Sequence, residues 1–378
     1  MTSELSDLCY FADGRVAVAN LDLDTYISTE NMLPNKEGIT RSAGLPTVRQ
    51  TQAYQTDDVL VSNIRPYFKK IWHADRDGGC SNDVLVLRAK GGCNPGFLYY
   101  LLSDNNFFDY ATATAKGTKM PRGDKGAIMR YEVPDLPIDV QIGIADTLSA
   151  LDARIAENRA INHHLEQMAQ AIFKSWFVSF EPFGGVMPND WREVKFSTFL
   201  TPRIEKSNDP KIPLFSVTDT GIYPRDEKFK KKLSKAETKN KIARETDLVF
   251  GMSREILNWG VMRSTIGGVS SAYNVFAVDS RINSKYLESF IKAHSFYFKD
   301  LIRPATREGQ GIDKTALMLK SIYLPPDEVL AEYYAIEDAM MAQIREKEAE
   351  SNCLAEIRDA LLPRLMSGEL SVADMDAK

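Results

Sequence analysis

Cysteine and histidine are scarce in this chain, with four of each among 378 residues. Cys9, Cys80, Cys93 and Cys353 are scattered and form no CxxC pair; Cys80 and Cys93 are near enough in sequence to meet, but core or loop cysteines are the favoured reading. They read as the reduced thiols of a cytoplasmic protein. His73, His163, His164 and His294 make no metal-ligand set. No apolar run approaches the roughly 18 residues that span a bilayer. The acidic N-terminus lacks the basic and apolar regions of a secretion signal. Motifs of chemistry are missing as well: there is no HExxH, no GxSxG and no Gly-rich turn after a strand. The loop from Gly117 to Lys125 lacks the Gly-Lys-Ser/Thr ending of a phosphate loop, and Gly309 to Thr315 has Asp313 where that motif needs glycine. These absences point to a binder and away from a catalyst.

What is present is helix. Residues 139–177 hold no proline and no glycine after Gly143. Apolar side chains recur at Ile144, Leu148, Leu151 and Ile155, then at Leu165, Met168 and Ile172, with a polar interruption at Asn158 and Asn162. Steps of three and four place them on one helical stripe. About 35 residues at 1.5 Å per residue give a rod of roughly 50 Å, a coiled-coil strut. Residues 326–362 repeat the order: Tyr333, Ile336, Met340 and Ile344, polar Lys347 and Ser351, then Leu354, Ile357 and Leu361. Laid antiparallel, polar middle meets polar middle. Two separate amphipathic helices, each on its own domain, are the alternative.

The chain repeats itself. Asp58-Val59-Leu60-Val61 matches Asp247-Leu248-Val249-Phe250, Arg65 matches Arg254, and Gly78-Gly79 matches Gly267-Gly268. Asn94 before Phe97-Leu98 matches Asn283 before Tyr286-Leu287, and Asp124-Lys125 matches Asp313-Lys314. Every pair is 189 residues apart, half the chain length, which defines a tandem duplication. Within each copy, Val59–Val61 and Asp83–Leu87 read as short buried strands, with Tyr273–Val278 the counterpart of the second. Phe97 to Tyr110 reads as a helix, and so does Ser284 to about Ile302. The expected class is α+β: two tandem-repeated globular α/β recognition domains (1–138 and 181–325). Two long helices forming an antiparallel coiled coil (139–180, and 326–378 with its tail) separate them.

Charge is uneven. The overall −5 hides 24 basic against 17 acidic side chains over 181–325, and 5 against 13 over 326–378. Cations gathered on one face let a net-acidic protein bind nucleic acid. The densest run includes Lys228, Lys230, Lys231 and Lys232; a solvated surface face is its bland reading. A second basic stretch holds Lys116, Gly117, Thr118, Lys119, Arg122 and Lys125, where glycines permit close approach and Lys and Arg supply charge and base readout. Its counterpart carries Arg303 and Arg307 and ends at Lys314. Arg65, Lys69, Lys70 and Arg254 complete the candidate DNA-contacting set.

Three segments then carry a family resemblance. Gln141-Ile142-Gly143-Ile144-Ala145 leads into Leu151-Asp152-Ala153-Arg154-Ile155 and Asn158, then Ala171-Ile172-Phe173-Lys174-Ser175-Trp176-Phe177. This resembles the central conserved region of the specificity subunits of type I restriction-modification systems. Residues 361–370, from Leu361-Leu362-Pro363 to Gly368-Glu369-Leu370, resemble their C-terminal conserved region, and Pro188-Asn189-Asp190-Trp191-Arg192 resembles the entry to their second recognition domain. The resemblance covers the chain in order and is carried mainly by the struts.

It implies a DNA-binding subunit without chemistry of its own. Two recognition domains would read two unlike half-sites of double-stranded DNA, held at a fixed separation by the struts. Two modification subunits carrying S-adenosylmethionine would dock on it, with ATP- and Mg-dependent restriction subunits beyond them. Phe173, Trp176, Phe177, Leu361, Leu362 and Leu365 are the candidate docking residues, unless they only close the coiled coil or its domain junctions. Asn94-Pro95-Gly96-Phe97 is also similar to the Asn-Pro-Pro-Phe/Tyr signature of amino-methyltransferases, but without a cofactor motif it reads as a helix cap. A coiled-coil scaffold with two protein-binding domains and a DNA methyltransferase or nuclease with an unrecognised site are the rival classes.

Overall fold

The computed structural model describes residues 2–225, 239–253, 255–302 and 311–371. The chain divides into two compact units, one of Met1–Ile161 with Arg345–Lys378 and one of Asn162–Ile344. Both long segments are helices, Ile138–Phe177 and Asp327–Met366, so the fold is α+β. The second continues through Pro363, four residues past the expected end at Leu362. Burial of Leu365 and Met366 in the core of the first unit offsets the hydrogen bond that a proline removes.

Each unit contains the same principal sheet. In the first, Cys9–Phe11, Val84–Ala89, Val59–Ser62 and Ile71–His73 lie side by side in that order, all antiparallel. In the second, Leu200–Pro202, Asn274–Val278, Leu248–Phe250 and Trp259–Val261 reproduce it strand for strand. A second sheet follows suit. Arg15–Ala17, Gln50–Tyr54 and Gly78–Cys80 correspond to Lys206–Ser207, Asn240–Arg244 and Ile266–Val269. Tyr26 pairs with Gly79 in parallel, and Leu214 with Gly268 likewise.

The central strands read as apolar runs because both of their faces are covered. Val59, Val61, Leu85 and Leu87 face one core, while Leu60, Val84 and Val86 face another. In the second unit Leu248 and Phe250 part from Val249 in the same way.

Two of the polar pairs that repeat at 189 are helix caps. Asn94 accepts from the Phe97 amide and Asn283 from the amides of Lys285 and Tyr286. Asp124 accepts from Gly126 and Ala127, and Asp313 from Thr315 and Ala316. Each such cap stabilises its helix by about 1 kcal/mol. Two expected helices are shorter than their apolar spacing suggested. Asp104 takes an extended conformation and caps a new helix, splitting the first into Pro95–Ser103 and Asn105–Ala113. The counterpart ends at Ala293, where the His294 ring turns back on the Phe290 carbonyl.

In the first unit the long helices run antiparallel: Arg154 meets Glu350 at 2.8 Å and Arg358 meets Asp152 at 2.6 Å. Tyr100 donates to the other Asp152 oxygen, tying the globular part to the helices. The polar interruption is packed here, with Asn158 fully buried and Lys347 paired to Glu350. Together Lys347 and Arg154 hold the Glu350 carboxyl down to about 2. In the second unit the Asn162 amide donates to the Ile344 carbonyl, and Phe173, Trp176 and Phe177 pack on Tyr333. The apolar stripe differs from its sequence reading at three places. Met168, Ile336 and Ile357 are exposed; Ala169 is buried where Met168 was expected, while Met340 stays buried and Leu354 half-buried as read.

Candidate nucleic-acid interface

The loops of the first unit converge on the segment after strand Val59–Ser62. The Lys116 and Arg122 backbones exchange two hydrogen bonds and close the basic loop, with Gly117 at φ +98°. The Arg65 amide donates to Pro121 and the Gly123 amide to Asn63, fastening the loop to residues 63–65. A third loop joins them, as the Asn35 and Lys36 amides donate to the Phe68 and Lys69 carbonyls. Asn35, Lys36, Arg65 and Lys69 all adopt positive φ without being glycine. Such residues cost on the order of 1 kcal/mol each and persist only where their surroundings hold them.

This geometry sorts the expected contact residues. Arg65, Lys116, Gly117, Thr118, Lys119 and Arg122 come together at one place, and Lys119 is exposed there. Several cations serve the protein itself. Arg122 pairs with Asp83, Lys116 with Asp124, Lys69 with Asn105, and Lys70 with the Thr29 carbonyl. Burial pushes the Lys70 ammonium below its ordinary range, and Lys36 likewise. Lys125 lies over the Phe11 ring at 5.4 Å. In the second unit Ile302 bridges Ile312 and closes the corresponding loop, and Lys314 is exposed just after it. Lys228, Lys230, Lys231, Lys232, Arg254, Arg303 and Arg307 lie outside the described residues.

The expected docking residues divide. Phe173 and Phe177 are buried in the core of the second unit, and Leu362 and Leu365 in that of the first. Their apolar surface is spent on domain junctions, the alternative that the sequence left open. Trp176 and Leu361 stay half-buried. Missed from the sequence were Tyr67 and Phe68, an exposed aromatic pair with ring centroids 4.8 Å apart, and Met120, exposed in the basic loop. Their signal was an aromatic pair between Arg65 and Lys69 in a segment bounded by strands.

Among the described residues no cluster of His, Cys, Asp or Glu could hold a metal ion, and no helix is long and apolar enough to cross a membrane. Asn94, whose neighbours are similar to a methyltransferase signature, spends its side chain on the Phe97 amide as a cap.

Fold and site thus define an internally duplicated α+β protein, each copy presenting loops on an antiparallel sheet and closing on paired helices. No protein-family model matches the chain. It is similar to the MjaIX type I restriction enzyme specificity subunit of Methanocaldococcus jannaschii, with 25% identity over 311 residues, 76% of this chain and 71% of that protein. The HindI specificity subunit of Haemophilus influenzae is 32% identical over 168 residues, 42% of this chain and 36% of that protein. A solved structure described as the basis of complex assembly and conformational transition in a type I restriction-modification system shares the fold. Its TM-score is 0.53 at 19% identity, over 98% of both chains. The curated proteins to which the chain is similar are type I restriction enzyme specificity subunits.

Proposed function

We propose that the chain is the DNA-specificity subunit of a type I restriction-modification complex. Each unit reads one half of a bipartite, asymmetric site in double-stranded DNA, and the long helices set the spacing of the halves. The chain contributes recognition only. Two modification subunits and the restriction subunits attach to it, bringing S-adenosylmethionine, ATP and Mg. The observation that carries this reading is the duplication: one strand order occurs twice, with unlike loops at the same positions. Two readers of one plan with different side chains suit two unlike half-sites.

The test is DNA binding by the complex of this chain with its modification subunits. Affinity falls as salt rises, because phosphate contacts release counterions. Lys119→Ala weakens recognition of one half-site only, and Arg303→Ala with Arg307→Ala does so at the other. Lys119 is the cleaner choice in the first unit because Arg122 also holds Asp83. Affinity independent of salt would indicate a protein scaffold, and equal loss at both half-sites from either variant would refute the two-reader arrangement.

A further inference from the structure

The loop joining the two middle hairpin strands spans residues 63–70 in the first unit and 251–258 in the second, eight positions in each. Both carry a large apolar side chain turned to solvent at the position that the 189-residue repeat equates. Tyr67 is 48% exposed and Ile256 is 61% exposed. A single exposed apolar side chain is ordinary, but here it recurs at the equivalent place in both copies, two residues after the matched arginines Arg65 and Arg254. Tyr67 sits between Arg65 and Lys69, and the Arg65 amide donates to Pro121 of the loop that carries the exposed Lys119 and Met120. Ile256 follows Glu255, at the rim of a cavity of about 430 Å³ that Trp259 and Phe296 also line.

The two tips are also held in place. Positive-φ residues Arg65 and Lys69 bracket the turn Pro66–Phe68; the Asn35 and Lys36 amides donate to its Phe68 and Lys69 carbonyls, and its Arg65 amide donates to the Pro121 carbonyl. In the second unit the Asn258 amide donates to Ser253 Oγ, its side chain donates to the Met252 carbonyl, and Gly251 donates to Asn258. Fixed apolar groups surrounded by polar and charged ones suit the edges of bases. There, apolar contact and hydrogen bonding together distinguish base pairs, whereas a phosphate contact requires only charge.

We propose that Tyr67 and Ile256 are paired specificity determinants, each touching base edges in the half-site of its own unit. This rests on the DNA-reading function proposed above. Glu255 beside Ile256 stands where the first unit has Pro66 beside Tyr67, so the second tip offers an acceptor that the first lacks and the two tips select different base pairs.

The experiment is selection from a DNA library randomised at both half-sites, using the complex with modification subunits, for wild type, Tyr67→Ala, Tyr67→Phe and Ile256→Ala. Thermal melting of each variant confirms that it is folded. Tyr67→Ala reduces base preference about tenfold or more at one or two positions of one half-site, and Ile256→Ala does so in the other. The slope of affinity against salt is unchanged in both, and Tyr67→Phe retains the wild-type preference. A uniform loss of affinity with preference intact overturns the proposal, as does a change in the wrong half-site or no change at all. Failure of the wild-type complex to bind any DNA would instead overturn the function on which it rests, and the proposal with it.

Discussion

A buried carboxylate occupies the same place in both units, yet its arginine partner arrives from a different strand. Asp58 is gripped by Arg88 through two bonds of 2.7 Å, and Asp247 by Arg203 through bonds of 2.6 and 2.9 Å. Arg88 lies on strand Val84–Ala89, where its counterpart in the repeat is Ala277. Arg203 follows strand Leu200–Pro202, where its counterpart is Ala12. The Ala12 amide donates to Val86 and the Arg203 amide to Val275, which fixes the equivalence. One exchange of arginine and alanine between neighbouring strands therefore separates the two copies.

Arg88→Ala leaves the Asp58 side chain, only 1% exposed, with the Gln55 amide as its remaining donor among these bonds. Breaking a buried pair costs about 3–5 kcal/mol. Because Arg88 is itself 30% exposed, the screened figure is about 2–4 kcal/mol. Hydrogen exchange is the assay, since the two units give separate peptides. Amides of Val59–Ser62 and Val84–Ala89 should exchange roughly 30- to 1,000-fold faster, while those of Leu248–Phe250 serve as the unaffected reference. Adding Ala12→Arg to Arg88→Ala should restore at least half of the lost protection, since it rebuilds the pairing of the other copy. A double variant no better protected than Arg88→Ala would refute the equivalence of the strands. A cost below about 0.5 kcal/mol would refute the importance of the pair.

Three further outcomes are expected. Burial raises the Cys9 and Cys80 thiols to about 12 and Cys93 to about 11, whereas Cys353 is exposed, so a thiol reagent at pH 8 should modify one cysteine rapidly in the native chain and all four after denaturation. The Glu350 carboxyl, held down to about 2 by Lys347 and Arg154, stabilises the helix pair above its ordinary value of 4.5. That contribution disappears as pH falls from there towards 2, so Glu350→Gln should flatten this limb of an acid-unfolding curve and leave an unflattened curve as the refuting result. If the long helices set the half-site spacing, removing seven residues from each should shift the spacer length preferred in methylation assays; an unchanged preference would count against it.

The long helices and the duplication were legible in the sequence because both are local or periodic signals. An apolar recurrence of three and four survives in any context, and Asn94, Asn283, Asp124 and Asp313 repeat because each helix start requires an acceptor for its free amides. Buried strands such as Val59–Ser62 were visible as apolar runs for a similar reason, since both faces must be covered. Helix ends were less legible. Asp104 and His294 terminate helices through bonds that the apolar spacing does not register.

The site needed the fold. Positive charge in the sequence does not tell which cation faces solvent and which braces a loop. Only tertiary structure separates the exposed Lys119 from Lys69 and Lys70, half-buried and bonded within the protein, and from Lys116 and Arg122, whose heads are ion-paired at the surface. It likewise turned four of the six apolar helix-end residues into core and brought Tyr67 and Ile256 out at matching positions. Periodicity and capping are read along the chain, one turn at a time. Which side chain remains for a partner depends on neighbours tens to hundreds of residues away, and that only packing decides.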